Sequence, residues 1–543
     1  MTGAERPKDQ EPRAAWSQIV LSGGALAFFI LAGKLFGFVE KLLLAYFEGT
    51  SGSMDAYFTS VTVAFFFVML VEDIAVPVFL ARYVALKETS GPAAMRRYFG
   101  PFFLWTAIAL AALTLLAEAN VAFVLRLVAP GFDPNRHAQA IGLSRWILPA
   151  ALLLGLSAFL SVRLYAFGRF AWPAMTQFSY KVAVIVGLVA LVPWMGLRGL
   201  AIAVLIAATV QFTLQWIGVR RWATPEIRGA VEAPVRLEWR ATLLMMAPLV
   251  LGTLFAVGTD FVDNIWGSHL NRGSIAAVGF GRKLVDLPIL LVPGILGTIA
   301  FPRFAAFAAR RDFEGLMGYA SGLAVLCIAV FAPLTLVMII DSETIVGVVF
   351  GRGKFDAAAV AVTARVVRYF ALGYLAYALE ILVMRIYYAK LDTKTPIAVG
   401  IVFATGNMLM TTTLTPLIGI IAIPLALAVQ KTLKVLVLGI LLMRRHPGSW
   451  RAAMGGRVVR LVPCCAAFAL TFLAVGHLML RFAPGTGLLR SATFLLGASA
   501  AGLIVYAASL LRAGLWSPDQ VRGIVTTIKG TIAARRRPAS STS

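Results

Sequence analysis

The chain has 543 residues, 60% of them apolar, and a formal net charge of +24, with a mean hydropathy of +0.85. No water-soluble fold of this length hides so much apolar surface, and the apolar runs are long and continuous rather than alternating, so they read as bilayer-crossing helices and not barrel strands. Cys327, Cys464 and Cys465 lie in apolar runs without CxxC spacing, the four histidines are scattered and no Walker motif is present. Metal, redox and ATP-hydrolysing chemistry are therefore not expected, and no cofactor is predicted from these residues.

In chain order, residues 1–16 form a polar tail with Arg6, Lys8 and Arg13, too polar for a cleavable signal. Spans are predicted at roughly 17–47, 55–85, 98–125, 140–165, 172–195 and 197–219, an N-terminal lobe over 17–219. Residues 220–240, with Pro225 and Pro234, read as a linker. A second lobe over 241–443 holds spans at roughly 241–268, 273–307, 315–340, 358–388, 394–415 and 418–443. Two further spans, roughly 456–480 and 489–512, fall in an appendage over 444–512, followed by a tail over 513–543 that ends in Arg535-Arg536-Arg537 and serines. The expected fold class is thus an all-α integral membrane protein of about fourteen transmembrane helices: two six-helix lobes plus two C-terminal helices.

Basic residues cluster in alternate loops: Arg82, Lys87, Arg96 and Arg97; Arg220, Arg221, Arg228 and Arg236; Arg303, Arg310 and Arg311; Lys390 and Lys394; Arg444, Arg445 and Arg451. The loops between them are poor in charge. This is topology charge, not a nucleic-acid surface, and it places both termini in the cytoplasm.

The lobes resemble each other. Phe38-Val39-Glu40 returns as Phe261-Val262-Asp263, Ala75-Val76-Pro77 as Ala300-Phe301-Pro302, and Arg163-Leu164-Tyr165 before Pro173 as Arg385-Ile386-Tyr387 before Pro396. Six spans per lobe keep both in one orientation, so the repeat is parallel and brackets a central cavity.

A charge at the bilayer centre costs about 2.5–3.5 kcal/mol even on the lenient insertion scale, so such residues face a partner or a wet cavity. This chain places Lys34, Glu40 and Lys41 in the first span and Asp55 at the start of the second. Glu72 and Asp73 follow before Pro77, and the seventh span holds Asp260 and Asp263. The eighth holds Arg282, Lys283 and Asp286, and the tenth Arg365, Arg368, Glu380 and Arg385. Lys34, Glu40, Asp55, Arg282 and Lys283 are the expected substrate-binding set. Glu40 and Lys41, being adjacent, are expected to point apart. Arg163, Arg385 and Lys390 sit near span ends and read as snorkelling side chains. Pro77, Pro288 and Pro293 interrupt helices beside these charges and are candidate hinges.

Asp260 and Asp263 share a face at i,i+3 and need a neutralising charge. With Asn407, Thr411 and Thr412 they offer an oxygen set for a monovalent cation. Pairing of Asp263 with Arg282 or Lys283 is the alternative.

Several stretches resemble the MurJ/MviN family of lipid II flippases, within a superfamily that includes polysaccharide flippases and multidrug antiporters. They are Lys34 through Glu40, Asp55-Ala56-Tyr57, Glu72 through Pro77, Ala129 through Phe132, Val262-Asp263-Asn264, Gly281 through Leu284, Phe350 through Phe355, and Tyr387 through Pro396. The resemblance implies transfer of a polyprenyl-pyrophosphate-linked glycan from inner to outer leaflet, with cavity arginines gripping the pyrophosphate. It implies a bacterial inner membrane, contact with membrane lipids and with the cell-wall synthesis machinery, and Na⁺ or H⁺ as coupling ion. Carried over by position, Lys34 stands for the first family arginine and Glu40 for the second, usually in a GFxRD pattern. Val68 falls near a third, and Lys283, with Arg282 beside it, stands for the fourth. The carboxylate expected in the eleventh span appears as Thr411 or a neighbour, and the two extra spans are expected to form a groove for the polyprenyl tail. The alternatives are a flippase for another polyprenyl-linked polysaccharide unit and a cation-coupled multidrug antiporter.

Overall fold

A computed structural model describes residues 10–222, 239–445, 449–482 and 487–515. Most of the expected linker and most of both tails lie outside the described residues. Within them every regular element is helical and no strand occurs. The helices are α1 (Gln10–Glu48), α2 (Gly52–Met69), α3 (Val76–Ala119), α4 (Val121–Val128), α5 (Pro134–Ala166), α6 (Ala171–Met195), α7 (Leu197–Trp222), α8 (Trp239–Ser268) and α9 (Ser274–Ala309). They continue as α10 (Phe313–Ile340), α11 (Ser342–Phe350), α12 (Ala357–Leu372), α13 (Tyr374–Ala389), α14 (Lys394–Ile418), α15 (Ala422–Arg445), α16 (Ser449–Phe482) and α17 (Leu488–Arg512).

Each expected span falls on one of these helices or on consecutive ones, with α3 carrying the end of the second span and most of the third. By length and composition alone, ten described stretches are apolar enough to cross a membrane, or eleven when α12 and α13 count as one broken span. The difference from fourteen has identifiable sources. Lys394–Arg445 counts once although Gly419, at φ +65°, breaks it. The side chains of α1 and α9 are described only in part. Many large apolar side chains, such as Phe28, Leu116, Leu489 and Ile504, lie exposed on the helices, as a lipid-facing surface requires.

Local chemistry sets the helix ends. Ser51 caps α2 by accepting from the Met54 amide at 3.1 Å, and Asp133 caps α5 through the Arg136 amide at 2.9 Å, with Pro134 in the first turn. Asp312 and Asp392 do the same for α10 and α14, accepting from the amides of Gly315 at 2.8 Å and Thr395 at 3.0 Å. The third span ends earlier than expected, at Ala119. The Asn120 amide side chain donates to the Leu116 carbonyl at 2.9 Å, competing with the backbone ladder, and α4 starts afresh.

Contacts divide the chain into two compact units. The first comprises Met1–Leu291, Val349–Phe370 and Ile397–Gln430, and the second Val292–Val348, Ala371–Pro396 and Lys431–Ser543. In the first, α5 packs on α2, α3 and α7, and α6 on α1 and α7. Phe79, Tyr98, Phe99, Phe102 and Phe159 fill its centre with ring centroids 4.5–6.3 Å apart. In the second, α10 packs on α13 and α16, and α16 on α17. Phe331 meets Tyr374 edge-on there at 5.3 Å.

Candidate functional site

Glu40, on α1, is 4% exposed and sits between two ammonium groups. Lys41 Nζ donates to Oε1 at 2.9 Å and Lys181 Nζ, from α6, to Oε2 at 2.8 Å. The expectation that adjacent Glu40 and Lys41 point apart is corrected: four methylenes let the lysine curl back to its neighbour. Lys41 also stands 5.4 Å from the Phe58 ring centroid, and Lys181 stands 5.2 Å from that of Tyr180. The stem of Lys181 passes over Gly37, where a Cβ would lie 3.7 Å from its Cε. One carboxylate between two ammoniums leaves a surplus of one positive charge inside the membrane, which calls for an anion. Lys34 is exposed on α1, and Lys283 is exposed on α9.

Arg282 has another employment. Its Nη1 donates to Asp260 at 2.6 Å and its Nη2 to Asp263 at 2.7 Å, so one guanidinium bridges both carboxylates and leaves one negative charge over. The alternative weighed for Asp263, pairing with Arg282, is the geometry found, and Arg282 is thereby not offered to a substrate. Asp263 Oδ1 and Arg282 Nε are buried without a hydrogen-bond partner among the described residues. Next to them Asn264 accepts from Thr59 at 3.0 Å and donates to the Asp260 carbonyl at 2.8 Å, tying α8 to α2. Asn407 and Thr411 are buried on α14. That helix meets α8 where Trp266 Nε1 donates to Thr412 at 3.1 Å.

Asp55, expected at the substrate, is 0% exposed. It accepts from the amides of Gly273 at 2.6 Å and Ala276 at 2.8 Å, with Arg136 Nη1 at 3.7 Å. It therefore caps the N-terminus of α9 from a different helix, where a carboxylate meets the positive end of the helix dipole. Gly273 makes this possible: its φ is +88°, and a Cβ there would strike the Thr50 carbonyl. Enclosed by backbone, Asp55 positions the helix that bears Arg282 and Lys283 and is shut off from ligand.

The expected hinges differ in kind. Ahead of Pro77 the helix widens into a π-helical segment, Leu70–Ala75, carrying Glu72 and Asp73. The Val76 amide bonds back to Val71, and Pro77 brings no amide to continue the regular ladder. Pro288 and Pro293 lie inside an unbroken α9, flanking Leu291–Val292, where the first unit gives way to the second.

Three lysines escaped the sequence reading. Besides Lys181 they are Lys431 and Lys434 on α15, which donate to Glu380 at 2.7 and 2.6 Å within the second unit. Lys431 stands 4.4 Å from the Tyr377 ring centroid. A lysine pair at i,i+3 inside an apolar run was the available signal. Of the residues read as snorkelling, Arg163, Arg385 and Lys390 rest over Phe99, Phe301 and Phe313 at 5.0–5.7 Å.

The family described as lipid II flippase MurJ matches residues 44–493. This chain belongs to that family. It is 24% identical over 427 residues to the lipid II flippase MurJ of Burkholderia cenocepacia, covering 77% of this chain and 82% of the relative. The probable lipid II flippase MurJ of Rhizobium meliloti is 22% identical over 511 residues, covering 91% and 93%. Among solved structures, a lipid II flippase MurJ in an inward closed conformation superposes with a TM-score of 0.74 at 19% identity, over 91% of this chain and 98% of that one. An inward-facing multidrug resistance MATE transporter of the MOP superfamily gives 0.64 at 12% identity, over 76% and 94%. The family fixes the chain as a multi-pass membrane protein with a transporter fold rather than an enzyme.

Proposed function

We propose that this chain carries a polyprenyl-pyrophosphate-linked glycan, with lipid II as the first candidate, from the inner to the outer leaflet of the bacterial cytoplasmic membrane by alternating access. The observation that carries this reading is the lysine cluster around Glu40. In a chain of this family, the membrane-embedded surplus of positive charge at Lys41 and Lys181, which the exposed Lys283 joins on the substrate, matches the two negative charges of a pyrophosphate diester. The family's arginine–aspartate dyad is reversed here to Glu40-Lys41, and Lys181 restores the cation that Glu40 displaces. Both termini are taken as cytoplasmic, and residues 17–219 and 241–443 as the two moving lobes. Pro77, Pro288 and Pro293 serve as hinges, and α16 and α17 line a path for the lipid tail.

For coupling we propose that Na⁺ or H⁺ competes with Arg282 for Asp260 and Asp263, with Asn407 and Thr411 as further oxygen ligands. Contact with cell-wall synthesis enzymes is the natural extension of this role. A second reading, transfer of a different polyprenyl-linked glycan, is favoured by lysines standing where the family has arginines, since ammonium is a point charge rather than a bidentate fork. Depleting the protein in its host and identifying the lipid-linked precursor that accumulates on the cytoplasmic side tests the proposal. Lipid II supports the first reading, another polyprenyl glycan supports the second, and no accumulation defeats both.

A further inference from the structure

Inside the first unit, a cavity of about 170 Å³ opens among the helices that follow the π segment. Its wall is polar yet holds no cation: Glu72, Ser157, Tyr165, Thr176, Gln211 and Gln215 are among its lining residues. Thr176 Oγ1 donates to Gln215 Oε1 at 2.9 Å, and Gln211 Nε2 contacts Ser157 Oγ at 3.4 Å. Gln215 is 1% exposed, and its Nε2 has no hydrogen-bond partner among the described residues. Buried amides and hydroxyls in a membrane bundle are costly unless satisfied. Here they gather round one space and leave a donor over.

We propose that this cavity is a subsite for a neutral sugar ring, the one nearest the pyrophosphate of the transported lipid. Chemistry and position carry the assignment. An anion finds no positive charge in this wall, and an organic cation finds no aromatic cage. Vicinal hydroxyls and an N-acetyl group find donors and acceptors from three carboxamides, three aliphatic hydroxyls and one carboxylate, with the Tyr165 ring to lie against. The volume is below the roughly 300–1,000 Å³ of drug-sized sites, which suits a single ring. Gln177 also lines the cavity and precedes Lys181 by four residues on α6, so the two share a face about 6 Å apart along the axis. A sugar bonded directly to a diphosphate spans that separation. The π segment sets Glu72 at the same wall, and such bulges recur at functional sites.

The identity of the sugar as part of a lipid-linked substrate rests on the flippase reading; the sugar site itself is tested without transport. Saturation-transfer NMR on the purified full-length protein in nanodiscs, with N-acetylglucosamine and glucose as probes, should give saturable signals that inorganic pyrophosphate does not abolish. Gln215→Leu and Thr176→Val, apolar replacements that a membrane bundle tolerates, should weaken sugar binding about tenfold at unchanged melting temperature. Lys181→Met should leave the sugar signal intact while weakening pyrophosphate. Absence of a saturable sugar signal, or full binding in folded Gln215→Leu, overturns the subsite. Sugar binding in a protein that fails to flip any polyprenyl glycan leaves the subsite standing and removes the transport reading instead.

Discussion

At the scale of single residues, the charge pattern of the membrane spans is the strongest constraint, because each buried charge must be met. Glu40 is met by Lys41 and Lys181. Replacing Glu40 with glutamine leaves two enclosed ammoniums without their counter-ion, and a loss of about 3 kcal/mol in stability is expected, measurable as a lowered thermal midpoint in detergent. Lys181→Met removes one charge-assisted contact to the substrate, so transport should fall by roughly ten- to a hundredfold with expression intact. Arg282→Met uncovers two adjacent carboxylates. The variant, freed of the competing guanidinium, should show a larger cation-dependent rise in thermal midpoint than the parent, and a variant indifferent to sodium, lithium and potassium alike removes Asp260 and Asp263 from the metal-ion pathway. Lys34, Lys283 and the aspartate pair were legible in the sequence because a charge in an apolar run announces itself. The pairings were not. Lys181 belongs to a helix 141 positions away from Glu40, and nothing in local spacing tells that it reaches across, nor that Asp55 is spent on the end of α9.

At the scale of elements, hydropathy made the spans legible, since a lipid-facing helix must be apolar along its whole crossing. What it concealed were events set by side chains. Asn120 ends α3, Gly373 separates α12 from α13, and the π segment before Pro77 re-aims Glu72. Asp55→Asn keeps the shape but gives up the carboxylate at the positive end of α9. It should lower the thermal midpoint and slow transport together, whereas a substrate ligand would affect transport alone. Gly273→Ala should do the same through its positive φ. Beside this cap, the Arg136 amide, helped by the guanidiniums of Arg136 and Arg272, holds the Asp133 carboxyl below the usual aspartate range. A depressed folded-state value means that the contribution is present at neutral pH and is lost as pH falls through that value. Hydrogen exchange at the start of α5 should therefore accelerate only under strongly acidic conditions.

At the scale of the whole molecule, the proposal of two cytoplasmic termini, drawn from the alternation of basic and charge-poor loops, predicts an even number of crossings. Single cysteines placed at Ser51 and Arg198 should react with an impermeant reagent from outside, and one at Lys394 only after permeabilisation. Reaction of Ser51 from the inside overturns the topology. The family and its fold were readable from short stretches because these follow in order along the chain, while the substrate was less so, the resemblance setting Lys34, Glu40 and Lys283 at family arginines and Val68 near another. The central claim, that the lysine cluster grips a pyrophosphate during transfer between leaflets, is tested most directly by reconstituting the protein in liposomes and following a fluorescent polyprenyl-pyrophosphate glycan from one leaflet to the other. We expect transfer by the parent protein and its loss in folded Lys181→Met and Lys283→Ala. Transfer at the parental rate in both variants, or none by the parent with lipid II or any other polyprenyl-linked glycan, contradicts it.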